Sequence, residues 1–167
     1  LAYKRPDELA GDVMRALLAR VPQVKPDMVE DVVLGCAMPE AEQGMNVARI
    51  GLLLAGFPVS VPGLTINRFC SSGVQAVAFA ADRIRLGEAD VMIAAGTESM
   101  SMVPLGGNKP TYSPAVFEKD ENIAIAYGMG ITAEKVAAQW QVSREAQDMF
   151  AAESHRRALR AMDAGEF

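Results

Sequence analysis

The sequence contains two cysteines and one histidine, and only one of the three sits where its chemistry would be useful. Cys70 lies inside "TINRFCSSGVQAVAFAADRI", at the junction of two patterns. Upstream the residues alternate as in a strand, with Leu64 and Ile66 on one side and Thr65 and Asn67 on the other. Downstream, Val74, Val77, Ala78, Ala81 and Ile84 recur at helical spacing, with small Ser-Ser-Gly residues in the first turn. Cys70 is therefore expected at the top of a strand and the N-terminus of a helix. Unpaired backbone N–H groups and the positive end of the helix dipole there favour a thiolate, the nucleophilic form of the side chain. By position alone the residue could equally be a small buried hydrophobe, because free cysteine is among the most buried residue types.

Other chemistries fail on spacing. "CSSGV" lacks the first glycine of G-x-S-x-G, so Ser71 is not at a hydrolase nucleophile elbow. "GMGIT" does not continue as G-x-G-x-x-G, and Gly107-Asn108-Lys109 lacks the spacing of a phosphate-binding loop. One histidine and two distant cysteines do not make a zinc site, and no metal is expected. His155 falls mid-helix among charged residues in "AAESHRRALRA", where a solvated role is expected rather than a catalytic one.

The elements that would position Cys70 follow from periodicity. Residues 7–21 carry Leu9, Val13 and Leu17 with Ala10, Met14 and Leu18 beside them, the stripe of an amphipathic helix, and Pro22 and Pro26 end it. "EDVVLGCA" reads as a buried strand and "NVARIGLLLAG" as a helix closed at Gly56. Residues 63–69 form the second strand, 71–86 the second long helix and "DVMIAAG" the third strand. This alternation predicts an α/β domain with a largely buried sheet. From residue 97 to 130 the chain has five glycines and prolines before the charged patch "FEKDEN" and no clear period, too long for an ordinary connector. Helices follow at 132–141 and 144–164, the second capped by Ser143.

Composition narrows the class. The chain has 167 residues, half of them hydrophobic and 22% charged, with net charge −5. The acidic balance argues against nucleic acid as a partner. Apolar stretches are broken by charge or glycine well before the length of a membrane span. Two cysteines do not make a disulfide framework, so the cytoplasm is the expected location. The sequence opens "LAYKRPDELAG" without an initiator Met and stops at "AGEF", and it is expected to be part of a larger protein.

Residues 67–104, "NRFCSSGVQAVAFAADRIRLGEADVMIAAGTESMSMVP", resemble the acyl-enzyme cysteine signature of the thiolases, the acetyl-CoA acyltransferases. The likeness continues through "RPDELAGDVMRALLAR", "EQGMNVAR" and "YGMGITAEKVAAQWQVSREAQDMFAAESHRRALRAMDAGEF" to cover essentially the whole chain. It implies a layered fold of two similar halves, each a mixed sheet flanked by helices. Residues 1–96 would be the first half without its first strand, and 97–167 the long connection and the beginning of the inserted loop domain. It further implies that Cys70 is acylated by a 3-ketoacyl-CoA, that coenzyme A is cosubstrate with no permanently bound cofactor, and that the protein is a homodimer or homotetramer. "CSSG" with "GTESMS" is closest to degradative 3-ketoacyl-CoA thiolases of fatty-acid β-oxidation. A biosynthetic acetoacetyl-CoA thiolase and a non-catalytic CoA or lipid carrier of the same fold are the alternatives. Met129, in "GMG", matches a family position lining the pantetheine and acyl channel, and it could equally be a flexible gap-filler. The family's base, in a Gly-His-Pro turn, and its second cysteine, in a Cys-x-Gly-Gly-Gly loop, have no counterpart in this sequence. Cys36, in "LGCAMPE", does not match that loop and is expected to be a packed residue at a strand end.

Overall fold

The computed structural model describes residues 2–167. They divide into two compact units, with the boundary between Pro110 and Thr111.

The first unit is α/β. Its strands are β1 (Asp31–Gly35), β2 (Gly63–Ile66) and β3 (Met92–Gly96), all parallel and in the order β2-β1-β3. Each parallel step needs a crossover. Helix α2 (Val47–Leu54) lies between β1 and β2, and α3 (Ser72–Arg85) between β2 and β3. Helix α1 (Pro6–Arg20) precedes them and packs on α2. Proline at its first position supplies a fixed φ and lacks only an N–H that would have had no partner there. Asn46 caps α2, its Oδ1 accepting the Arg49 N–H at 3.2 Å, and Gly56 follows the helix at φ +87° as expected from the sequence.

Strand alternation sorts the central residues onto two faces. Val32, Leu34 and Cys36 enter the main core with Ala10 and Met14 of α1, Val47, Ala48 and Leu52 of α2, and Ile93 of β3. Gly35 is on the other face, against α3, where a Cβ would stand 2.6 Å from the Ser72 carbonyl carbon. Only glycine permits that approach. At the other end of the same face Arg83 reaches Asp31 at 2.8 Å.

The buried faces of two helices differ from the expected stripes. In α1 the buried positions are Pro6, Asp7, Ala10, Gly11 and Met14, while Val13 and Leu17 are exposed. In α3 the buried positions are Ser72, Ala76 and Ala80, while Val74, Val77 and Ile84 are exposed. Small side chains let α3 approach the sheet closely, so the face with least hydrophobic bulk packs on it. Strand β2 stops at Ile66 and leaves residues 67–71 as a turn.

The second unit has two short 3₁₀ turns, Pro114–Phe117 and Asp120–Ala126, then α4 (Met129–Gln139) and α5 (Arg144–Asp163). Helix α4 begins three residues before the apolar pattern implied, with Gly128 as its N-cap. Ser143 caps α5 as expected, its Oγ accepting the Ala146 N–H at 3.2 Å. Among the described residues no helix is long and apolar enough to cross a membrane.

Candidate active site

The turn between β2 and α3 carries Cys70 and is tightly tied. Asn67 Oδ1 accepts the Phe69 N–H at 2.8 Å, an Asx turn that bends the chain as it leaves the strand. Phe69 then takes φ +45°, a left-handed conformation that costs a non-glycine residue roughly 1 kcal/mol or more. Ser72 compensates: its Oγ accepts the Arg68 N–H at 2.9 Å and donates to the Phe69 carbonyl at 2.6 Å. The Ser72 N–H also donates to the Phe69 carbonyl, at 3.0 Å. This buried serine closes a loop around the strained residue, so that Cys70 projects from a fixed backbone with its side chain exposed.

Cys70 lines a cavity of about 420 Å³ at the C-terminal ends of the strands. Ligand sites of open parallel sheets lie at this end. Gly35 and Gly96 form its base, Phe69 and Ser72 flank the cysteine, and Met100 and Leu105 add apolar wall. The wall segment, residues 97–110, belongs to the first unit and is tied to the ends of its strands and to α1. The Thr97 N–H donates to the Gly35 carbonyl at 3.0 Å, and Thr97 Oγ1 donates to the Pro6 carbonyl at 2.9 Å. Glu98 Oε2 accepts the Ala37 N–H at 2.6 Å. Farther along, Glu40 Oε1 accepts both the backbone N–H and the side-chain amide of Asn108.

The second cysteine has the opposite surroundings. Cys36 follows β1 directly, is almost wholly buried in the main core, and faces away from the cavity by strand parity. Burial, reinforced by the Glu98 carboxylate, pushes its thiol from the ordinary 9.0 up to about 11. Such a group stays neutral at physiological pH and is a poor nucleophile. The folded state disfavours the Cys36 thiolate and the unfolded chain does not. The associated stability is therefore complete below about pH 9 and is lost as the pH climbs towards 11. Between those limits the protein is expected to lose roughly 2 to 3 kcal/mol relative to Cys36→Ser, which has no thiol to ionise. Urea midpoints of the two proteins across pH 8 to 11 would show it, and parallel curves would refute it.

Met129 is the first residue of α4 in the second unit, and its side chain is exposed. His155 lies on α5 and is exposed. His155→Ala in the complete protein is expected to change turnover by less than about tenfold, or roughly 1.4 kcal/mol of barrier. A thousandfold loss would make it a participant. Among the described residues no three His, Cys, Asp or Glu side chains are grouped to hold a metal ion.

Three contributors to the site gave little sequence signal. Gly35 stands in an apolar run, and its need for glycine arises from Ser72, distant in the chain. Ser72 looked like a small filler and is the lock of the turn. Gln43 joins loops whose proximity only the sheet order determines, although "EQGMNVAR" marked its neighbourhood.

The family model for the N-terminal domain of thiolase matches residues 1–167. The chain is 46% identical to a 3-ketoacyl-CoA thiolase of Bacillus subtilis (strain 168) over 167 residues, which is 100% of this chain and 42% of that protein. A 3-ketoacyl-CoA thiolase of Cronobacter sakazakii (strain ATCC BAA-894) is 42% identical over 164 residues, covering 98% of this chain and 41% of that protein. A beta-ketoadipyl-CoA thiolase of Escherichia coli is 41% identical over 179 residues, covering 99% and 45% respectively. The chain thus spans about two fifths of the length of these relatives. Its parallel α/β unit, its cysteine turn and a match along its whole length agree, and the chain belongs to the thiolase family as its N-terminal domain.

Proposed function

We propose that the protein containing this chain is an acyl-CoA thiolase that cleaves 3-ketoacyl-CoA in the degradative direction, with Cys70 as the acyl-carrying nucleophile. The observation that carries this reading is the exposed Cys70 on its locked turn beside the strand-end cavity, while the only other cysteine is buried. The Cys70 thiolate attacks the C3 keto carbon and the resulting alkoxide collapses. The C2–C3 bond breaks, and its electron pair passes to C2 as the enolate of acetyl-CoA. Protonation of C2 releases acetyl-CoA and leaves the remaining acyl group on Cys70 as a thioester. The thiol of a second coenzyme A, deprotonated, attacks that thioester carbonyl; the shortened acyl-CoA leaves and Cys70 returns to its thiolate. Such a sequence gives ping-pong kinetics. The backbone N–H of Cys70, at the turn into α3, is assigned to an oxyanion hole on the family's pattern. The base and the proton-donating cysteine are assigned to the family's Gly-His-Pro and Cys-x-Gly-Gly-Gly motifs, outside this sequence.

Coenzyme A and acyl-CoA are the partners in this reading, and Met129 contributes to the pantetheine and acyl channel. Residues 1–96 serve as the first α/β half, and 97–167 as the connection and start of the loop domain. A cytoplasmic homodimer or homotetramer is the proposed assembly; a monomer mass for the complete protein in solution would refute it. The activity is tested by mixing the complete protein with coenzyme A and either acetoacetyl-CoA or a long-chain 3-ketoacyl-CoA. Faster cleavage of the long-chain substrate supports the degradative reading. Turnover of acetoacetyl-CoA alone would replace it with the biosynthetic one, and binding without turnover would make the protein a carrier.

A further inference from the structure

Gln43 closes the short 3₁₀ turn Ala41–Gln43 and is fully buried. Both of its amide donors and its oxygen are used. Nε2 donates to the Met38 carbonyl at 2.8 Å and to Glu98 Oε1, and Oε1 accepts the Ser99 N–H at 2.9 Å. Glu98 completes the link through its other oxygen, which holds the Ala37 N–H. One side chain thus fastens the loop leaving β1 to the loop leaving β3. Three of the residues so fastened, Ala37, Met38 and Glu98, line the cavity with Cys70, whereas Gln43 does not touch it. No other side chain among the described residues bonds to both loops at the cavity base in this way.

We propose that Gln43 is a positioning residue for acylation of Cys70, acting through Glu98 and the Met38 segment to hold the cavity wall in register with the nucleophile. The inference rests on Cys70 being the acylated residue. A fully satisfied buried amide network holds one geometry, and small displacements of a reacting pair cost rate steeply.

An isosteric change separates positioning from bulk packing. Gln43→Glu keeps the shape but sets a second carboxylate against Glu98, and the pair can share a hydrogen bond only while it holds a proton. The other titratable groups nearby are Cys36, whose thiol meets the Gln43 carbonyl at 4.0 Å, and Glu40 and Glu42 on the same turn. Arg5, at the start of α1, interacts with Glu42. All of these are common to wild type and variant, so their influence cancels in the ratio of rates. The experiment follows acylation of Cys70 in the complete protein, after rapid mixing with acetyl-CoA and quenching, by peptide mass from pH 6 to 9. Gln43→Glu leaves the Met38 carbonyl or Glu98 without a donor even when protonated, and its rate relative to wild type is expected to fall a further tenfold or more between pH 6 and pH 8.5. The exchange Gln43→Glu with Glu98→Gln restores an amide–carboxylate pair between the two positions but not the donor to the Met38 carbonyl. It is therefore expected to run several-fold slower than wild type by a factor that does not change with pH, and faster than Gln43→Glu at pH 8.5.

A Gln43→Glu to wild-type ratio that does not vary with pH would overturn the proposal, as would a double variant no faster than Gln43→Glu at pH 8.5. Should Gln43→Glu fail to fold, the double variant decides alone: folded and at least threefold slower than wild type, for want of the donor to the Met38 carbonyl, supports the role, and folded and as fast as wild type refutes it. Acyl groups mapped away from Cys70 in the wild type would refute the functional reading itself, and this inference with it.

Discussion

Cys70→Ala in the complete protein is expected to lose at least ten-thousandfold in turnover, roughly 5.5 kcal/mol of barrier, and to form no acyl-enzyme. Cys36→Ser is expected to keep the acyl-enzyme and lose at most a few kcal/mol of stability. The two thiols begin from the same chemistry, and their surroundings separate them. Cys70 is exposed on the turn that leads into α3, two residues before the helix begins and beside a cavity; Cys36 is packed among Val47, Leu52 and their neighbours with its thiol pushed up to about 11. At neutral pH substoichiometric iodoacetamide should therefore label Cys70 first, and prior incubation with acetyl-CoA should protect it. Peptide mapping reads both results. Acyl groups on Cys36, or full activity without Cys70, would overturn the assignment and leave the fold standing.

Gly35→Ala should have the next largest effect, although it removes no reactive group. The new methyl would sit 2.6 Å from the carbonyl carbon of Ser72 and 2.8 Å from its Cβ and oxygen. The nearest atoms are mostly backbone, so α3 itself must move. Overpacking of this kind costs about 3 kcal/mol. The displaced Ser72 is also the residue that locks Phe69, so Cys70 acylation should slow by about a hundredfold or more. Gly73→Ala is the control, because a Cβ there meets nothing within 4 Å, and alanine favours the helix by roughly 0.5 to 1 kcal/mol. Urea unfolding of both variants distinguishes them. Equal midpoints would show that the contact between β1 and α3 is slack.

The parts of this architecture that announce themselves in sequence are those encoded locally. The runs around Val32–Leu34 and Met92–Ala95 are short, apolar and bounded, and they became strands. The change of period at Cys70 marked a real change from strand to helix, separated by the turn. Ser143 and Gly56 acted as the boundaries their residue types imply. What stayed hidden depends on distance in the chain. The stripes Val13 and Leu17 in α1, and Val74, Val77 and Ile84 in α3, have the right period but occupy faces the first unit leaves exposed. Periodicity reports an apolar face without saying which neighbour it meets. Gln43 and Glu98 are 55 residues apart, so nothing local pairs them. Phe69 carries a left-handed backbone with none of the glycine or asparagine that would flag it.

The strand order also bears on how the chain is made. β1 occupies the centre of the sheet yet is synthesised before both of its neighbours, and its partner β3 ends only at Gly96. At ribosomal speeds of about 5 to 20 residues per second, roughly 3 to 12 seconds separate the two strands. Throughout that interval the N–H and C=O groups on one edge of β1 have no native strand to bind. Parallel pairing offers no hairpin shortcut, since the partner must return through a full crossover. The nascent chain therefore carries an apolar open edge while translation continues, and a pause before residue 92 would prolong its exposure to chaperones and to other nascent copies.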